Sequence, residues 1–170
     1  MSEKYYLAYG SNLNKKQMAY RCPDAEPVAT GELHGWQLLF RGSKTGSYLT
    51  IERKTGGTVP FAIWKISEDD EESLDRYEGY PTFYRKEMIT VTGKSVNDGL
   101  KRRYNALVYI MDERRPIGVP STYYMRTCLE GYEDFGLPHR PLLRAEVFAY
   151  EEITRLKKKP ISAIAGTKGA

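Results

Sequence analysis

The sequence predicts an α+β domain, a curled or barrel-like mixed β-sheet with flanking helices, on three observations. Short apolar stretches of strand length recur through much of the chain, and several alternate in character. Helix signals come only at intervals and then late, without the strict alternation that builds a parallel α/β sheet. At 170 residues and 41% hydrophobic, with no shift in composition along its length, the chain suits one domain with its own core. We place that domain at residues 1–159 and expect a frayed tail at 160–170.

Each element has its own warrant. Tyr5-Tyr6-Leu7-Ala8-Tyr9 carries aromatic or aliphatic side chains on both faces, as a strand buried on both sides requires. It stops at Gly10-Ser11-Asn12, residues that favour turns. A short helix over 14–20 follows and ends near Cys22-Pro23, because the residue before proline avoids helical angles. Strands are expected over 26–33 and 36–40, split at His34-Gly35, then over 48–52 and 59–66, split at Gly56-Gly57. Ser67 before Glu68, Asp69 and Asp70 reads as a capped helix start; the helix runs to about Tyr77 and Gly79 closes it. Strands over 84–92 and 104–111 flank a polar connection at 93–103. Ser121 caps a helix that ends near Phe135-Gly136-Leu137-Pro138, and a last amphipathic helix spans about 142–158 with Leu142, Ala145, Ala149, Ile153 and Leu156 on one face.

Composition narrows the function classes. The apolar stretches are far too short for a membrane span, and Met1-Ser2-Glu3-Lys4 leads into a strand rather than a signal-peptide core, so a cytoplasmic location is expected. Cys22 and Cys128 are far apart in sequence and read as small buried residues rather than a disulfide or zinc pair. His34 and His139 share no ligand spacing with each other or with the cysteines, so no metal is expected. The net charge of +4 is modest, and much of the excess lies at Arg155, Lys157, Lys158 and Lys159 near a helix end, where it complements the dipole. Nucleic acid is therefore not the expected partner. The 14 tyrosines suit a lined pocket, since each offers ring area and a hydroxyl, although packing alone also accounts for them.

Two stretches can carry chemistry. A strand ending in Gly10-Ser11-Asn12-Leu13 aims consecutive N–H groups at one point, which makes an anion or oxyanion site; an ordinary structural turn has the same residues. Glu78 stands at a helix end, among Tyr77, Tyr80, Phe83 and Tyr84. Either it is an exposed helix-end glutamate, or it is desolvated and acts as a general acid/base near neutral pH.

Tyr9-Gly10-Ser11-Asn12-Leu13, Leu74-Asp75 with Glu78-Gly79 and Tyr84, Tyr109, and Pro120-Ser121 with Tyr124 followed by Gly131 and Gly136-Leu137-Pro138 form an ordered set. Together they resemble the gamma-glutamylcyclotransferase family, including its plant avirulence-induced relatives. The resemblance implies release of 5-oxoproline from a small gamma-glutamyl amine or peptide, by attack of the substrate's α-amine on its own γ-carbonyl. It also implies Glu78 as acid/base, and Tyr9, Gly10, Ser11, Asn12, Leu13, Tyr84, Tyr109 and Tyr124 as substrate-binding residues, with no metal or organic cofactor. The alternative from another class is a catalytically silent module that binds an amino-acid derivative in the same pocket. Residues 41–57 and those beyond Pro138 match the family only loosely, which leaves the leaving group and the oligomeric state open.

Overall fold

A computed structural model of the protein describes residues 2–159, and the tail expected at 160–170 lies outside them. The aromatic opening forms strand β1 (Lys4–Ala8). Its two-sided apolar character is used as expected, for it pairs antiparallel with β3 (Gly46–Ile66) at Leu7↔Ile63 and parallel with β5 (Lys101–Met111) at Tyr6↔Leu107. β2 (Glu26–Ser43) and β4 (Tyr84–Ser95) complete a closed barrel in the order β1-β3-β2-β4-β5. Closure removes the unpaired edges that an open five-stranded sheet would expose. Leu7, Ile63, Val108 and Ile110 are fully buried in its core, each worth about 1.5–3 kcal/mol of burial.

The glycine punctuation divides strands less than expected. Residues 26–33 and 36–40 belong to one strand, β2, and residues 48–52 and 59–66 to one strand, β3. Gly35 and Gly56 have positive φ, 83° and 77°, yet they bend the ladder without ending it. The register passes from His34↔Thr58 to Trp36↔Arg53, so an irregularity holds the extra residues of β3 and the hairpin continues to Ser43↔Gly46. The connection expected at 93–103 is also shorter, because β4 and β5 stay paired out to Lys94↔Lys101.

Helices lie where the caps put them. Asn14 caps α1 (Lys15–Arg21) by accepting from the Gln17 N–H. Ser67 and Asp70 form a reciprocal capping box on α2 (Glu68–Glu78). Its C-terminus closes through Gly79 at φ 64°, with Tyr80 N–H donating to Asp75 C=O and Gly79 N–H to Arg76 C=O. Ser121 caps α3 (Thr122–Asp134), and α4 (Arg140–Lys157) packs on β2 through Leu142, Ala145 and Ala149. Of the α4 face expected from the sequence, Ile153 is half-buried and Leu156 exposed, so the helix leaves the barrel in its last turns. Cys22 and Cys128 are free and buried. No helix among the described residues is long and apolar enough to cross a membrane.

Between β1 and α1 the chain makes one 3₁₀ turn, Ser11–Leu13, and α3 lies directly on it. Gly131 permits that approach: a Cβ there would stand 2.5 Å from the Asn14 nitrogen and 2.7 Å from the Leu13 carbonyl carbon. These are backbone atoms and have little room to recede. Gly131→Ala is therefore expected to cost about 1–3 kcal/mol as an overpacked contact, lowering the melting temperature by roughly 2–12 °C. A parental melting curve would show that α3 does not bear on the turn as tightly as this geometry requires.

Candidate active site

The 3₁₀ turn is held from two sides, by α3 and by β3. The Tyr132 hydroxyl on α3 donates to Tyr9 C=O at 2.8 Å, and the Trp64 indole N–H on β3 donates to Asn12 C=O at 3.0 Å. The Asn14 amide donates to Thr127 C=O on α3 at 3.1 Å. Leu13 N–H closes the turn onto Gly10 C=O, and Asn14 N–H bonds Ser11 C=O. The N–H groups of Gly10, Ser11 and Asn12 make no backbone hydrogen bond among the described residues, as expected of the donors that open a helical turn.

These residues form one wall of a cavity of about 420 Å³ at the end of the barrel. That volume is within the range of small-molecule sites. Of the residues expected there from sequence, Tyr9, Gly10, Ser11 and Asn12 line one side, and Glu78, Tyr84, Tyr109 and Tyr124 line the rest. Leu13 corrects the expectation. Its side chain is wholly inside the core and its N–H is spent within the turn, so it supports the site from behind. Residues the sequence reading did not assign also face the cavity: Tyr6 on its floor, and Tyr48, Arg76, Tyr77 and Phe83 toward its mouth. Tyr6 could have been found from the strand, since it belongs to the short segment that carries Tyr9 to the turn.

Glu78 is the last residue of α2, and its Oε1 accepts from the Asn12 side-chain amide at 3.1 Å. The residue is partly exposed and lines the cavity. Burial pushes its pKa up to about 7, against the opposing pull of Arg21 and the Asn12 hydrogen bond. The negative end of the α2 dipole works in the same direction as burial. Arg21 does not pair with Glu78 directly; it donates to Asn12 Oδ1 and lies over the Tyr77 ring, 3.3 Å from the centroid. Asn12 thus reads its neighbours in one orientation only, with Oδ1 toward a cation and Nδ2 toward a carboxylate.

The tyrosines around this carboxylate are mostly committed. Tyr9 donates to Tyr109 C=O at 2.5 Å, Tyr84 to Leu49 C=O at 2.7 Å, and Tyr109 to Asp75 Oδ1 at 2.6 Å. Tyr124 accepts from Leu49 N–H at 3.1 Å. Once its proton is spent on a carbonyl, a tyrosine oxygen can only accept, so Tyr9 and Tyr84 present acceptors to a ligand. The Tyr109 hydroxyl also ties β5 to α2; Lys86 holds the same Asp75 at 2.9 Å. The wall therefore offers N–H donors at the turn and acceptor oxygens on Tyr9 and Tyr84, a pattern that suits a ligand bearing both a carboxylate and an amine.

Residues 6–126 match the family described as gamma-glutamyl cyclotransferase, AIG2-like. The chain belongs to the gamma-glutamyl cyclotransferase, AIG2-like family. The match spans the turn, Glu78 and the lining tyrosines as far as Tyr124. Similar curated proteins include gamma-glutamylcyclotransferase of Bos taurus, 30% identical over 141 residues, and that of Homo sapiens, 30% identical over 142. Each alignment covers 78% of this chain and 72% of the relative. A solved gamma-glutamyl cyclotransferase structure superimposes with a TM-score of 0.69 at 25% identity, covering 85% of this chain and 87% of that one. Family and barrel therefore agree.

The position of Glu78 gives a stability test. With its folded pKa near 7 and an unfolded value near the ordinary 4.5, the folded state binds the extra proton between those limits. Stability from the neutral acid is complete below the unfolded pKa and is lost as pH rises through about 7. Glu78→Gln should therefore unfold at equal denaturant near pH 4, and should gain roughly 2–4 kcal/mol over the parent at pH 8. Urea melts at the two pH values check this. A variant less stable than the parent at pH 8 would mean that the carboxylate is a structural anion.

Proposed function

We propose that the protein is an enzyme that releases 5-oxoproline from gamma-glutamyl amines or peptides, with Glu78 as general acid/base. One observation carries the reading. A carboxylate whose pKa lies near 7 stands within hydrogen-bond reach of the Asn12 side chain, in a cavity also lined by the turn whose backbone N–H groups make no backbone hydrogen bond. A silent binding pocket would gain nothing from a group poised to exchange protons at neutral pH, whereas acid/base catalysis needs one.

The chemistry follows from the substrate's own connectivity. Nucleophile and electrophile are tethered, so folding the γ-glutamyl chain into a five-membered ring supplies several kcal/mol of the barrier through proximity. The N–H groups of Gly10, Ser11 and Asn12 hold the substrate's α-carboxylate, and the acceptor oxygens of Tyr9 and Tyr84 face its amine. As the α-amine bonds the γ-carbonyl carbon, Glu78 takes the amine proton and the carbonyl π pair moves to oxygen. The carbonyl then re-forms, the bond to the leaving nitrogen breaks, and the Glu78 proton passes to that nitrogen. Atoms and charge balance without any added reagent, and one carboxylate makes both transfers.

The test is a panel of gamma-glutamyl amino acids, peptides and amines, with 5-oxoproline measured directly. Turnover is expected for at least one member, and kcat/KM should fall on the acid side of about pH 7, where Glu78 holds its proton before substrate arrives. Glu78→Gln should lower kcat by about 10²–10⁴ with a much smaller change in KM. Near-parental turnover in that variant, or no 5-oxoproline from any member with the parent, would contradict the proposal.

A further inference from the structure

Among the tyrosines of the cavity, Tyr6 and Tyr124 each accept a protein N–H, and of the two Tyr6 is the one joined to Glu78 through Asn12. It is 4% exposed and lines the cavity floor, and its oxygen accepts from Asn12 Nδ2 at 2.9 Å. The amide orientation is fixed independently, because Arg21 donates to Asn12 Oδ1 and Glu78 accepts from Nδ2. A flipped amide would set a donor against Arg21 and an acceptor against Glu78. So Tyr6 receives a proton from Asn12 and cannot return its own to that residue. No other group among the described residues accepts it. The hydroxyl proton remains available to the cavity, whereas those of Tyr9, Tyr84 and Tyr109 are spent on protein oxygens.

We infer that Tyr6 is a catalytic residue that donates its hydroxyl hydrogen bond to the γ-carbonyl oxygen of the substrate, and more strongly to the oxyanion that forms there. This rests on the proposed cyclisation. Asn12 Nδ2 bridges Tyr6 Oη and Glu78 Oε1, so the two catalytic oxygens stand one amide nitrogen apart. A reacting carbonyl fits that spacing, its attached amine toward the carboxylate and its oxygen toward the phenol. The assignment leaves the backbone donors of the turn free for the α-carboxylate, which gives each polar group of the substrate a partner.

Tyr6 acts as a donor and keeps its proton throughout. Burial, and next the Glu78 carboxylate, hold the phenol well above its ordinary pKa, so it polarises the carbonyl without ionising. Glu78 alone carries the proton from amine to leaving nitrogen. An uncharged donor placed where charge develops is worth more in a water-poor site than in solution.

Tyr6→Phe tests this with two readouts. Its kcat should fall about 100-fold while KM stays within about threefold, the signature of a donor engaged in the transition state. Second, 5-oxoproline labelled with ¹³C at its ring carbonyl, the former γ-carbonyl, should show a lowered C=O stretch when bound to the parent, and Tyr6→Phe should remove that shift. A residue that only positions Asn12 would leave the band unmoved. If Tyr6→Phe does not fold, 3-fluorotyrosine at position 6 keeps the shape and strengthens the donor, and the band should move further down. Parental kcat in Tyr6→Phe, a loss confined to KM, or a band indifferent to either replacement would overturn the role of Tyr6 while leaving the cyclisation intact. A parent that forms no 5-oxoproline from any gamma-glutamyl compound would overturn both.

Discussion

The Asn12 side chain is the contact through which the rest of the site is arranged. Its amide nitrogen serves Glu78 and Tyr6, its amide oxygen takes the Arg21 hydrogen bond, and its backbone carbonyl takes the Trp64 indole. Four elements meet at this residue: α2, β1, α1 and β3. An amide suits the position because it is uncharged and has both donor and acceptor ends. An aspartate there would lose the donors and set a second carboxylate beside Glu78. A leucine would leave several buried polar groups without partners, each at a cost of about 1–3 kcal/mol.

The closed barrel makes so exacting a junction possible. Closure fixes β1 between β3 and β5, which determines where the chain emerges at Gly10. α3 then presses on the turn at Gly131, and Tyr132 grips the Tyr9 carbonyl. On the other side, α2 is tied to the barrel by Tyr109 and Lys86, both through Asp75. The turn and Glu78 come from positions 66 residues apart, yet each is fastened to the same rigid sheet. Such fastening limits the side-chain and loop ordering left to occur when substrate binds.

The sequence made the fold class legible, and with it the positions of the turn and of the end of α2. The turn and the end of α2 were legible because their chemistry is local: Gly10-Ser11-Asn12 cannot continue a strand, and Glu78 before Gly79 marks a helix terminus whatever surrounds it. The length of β2 and β3 was not legible. Gly35 and Gly56 look like strand ends, and only pairing across the hairpin decides that they are bends within a continuous ladder. Leu13 shared the signature of its neighbours, but in a 3₁₀ turn its N–H points back to Gly10, a consequence of turn type that residue identity does not specify. Tyr6 was hidden for a related reason. In a strand buried on both faces, alternation cannot distinguish a packed ring from one whose hydroxyl reaches a cavity.

The central claim is that enclosure beside Asn12 brings Glu78 to a neutral-range pKa, and this can be measured without substrate. A ¹³C titration of the Glu78 side-chain carboxyl, assigned by its loss in Glu78→Gln, reads the protonation of that one group. The account predicts a midpoint near 7. A midpoint near the ordinary glutamate value of about 4.3 would contradict it, since so weak a base would be poorly matched to taking a proton from an amine near neutral pH.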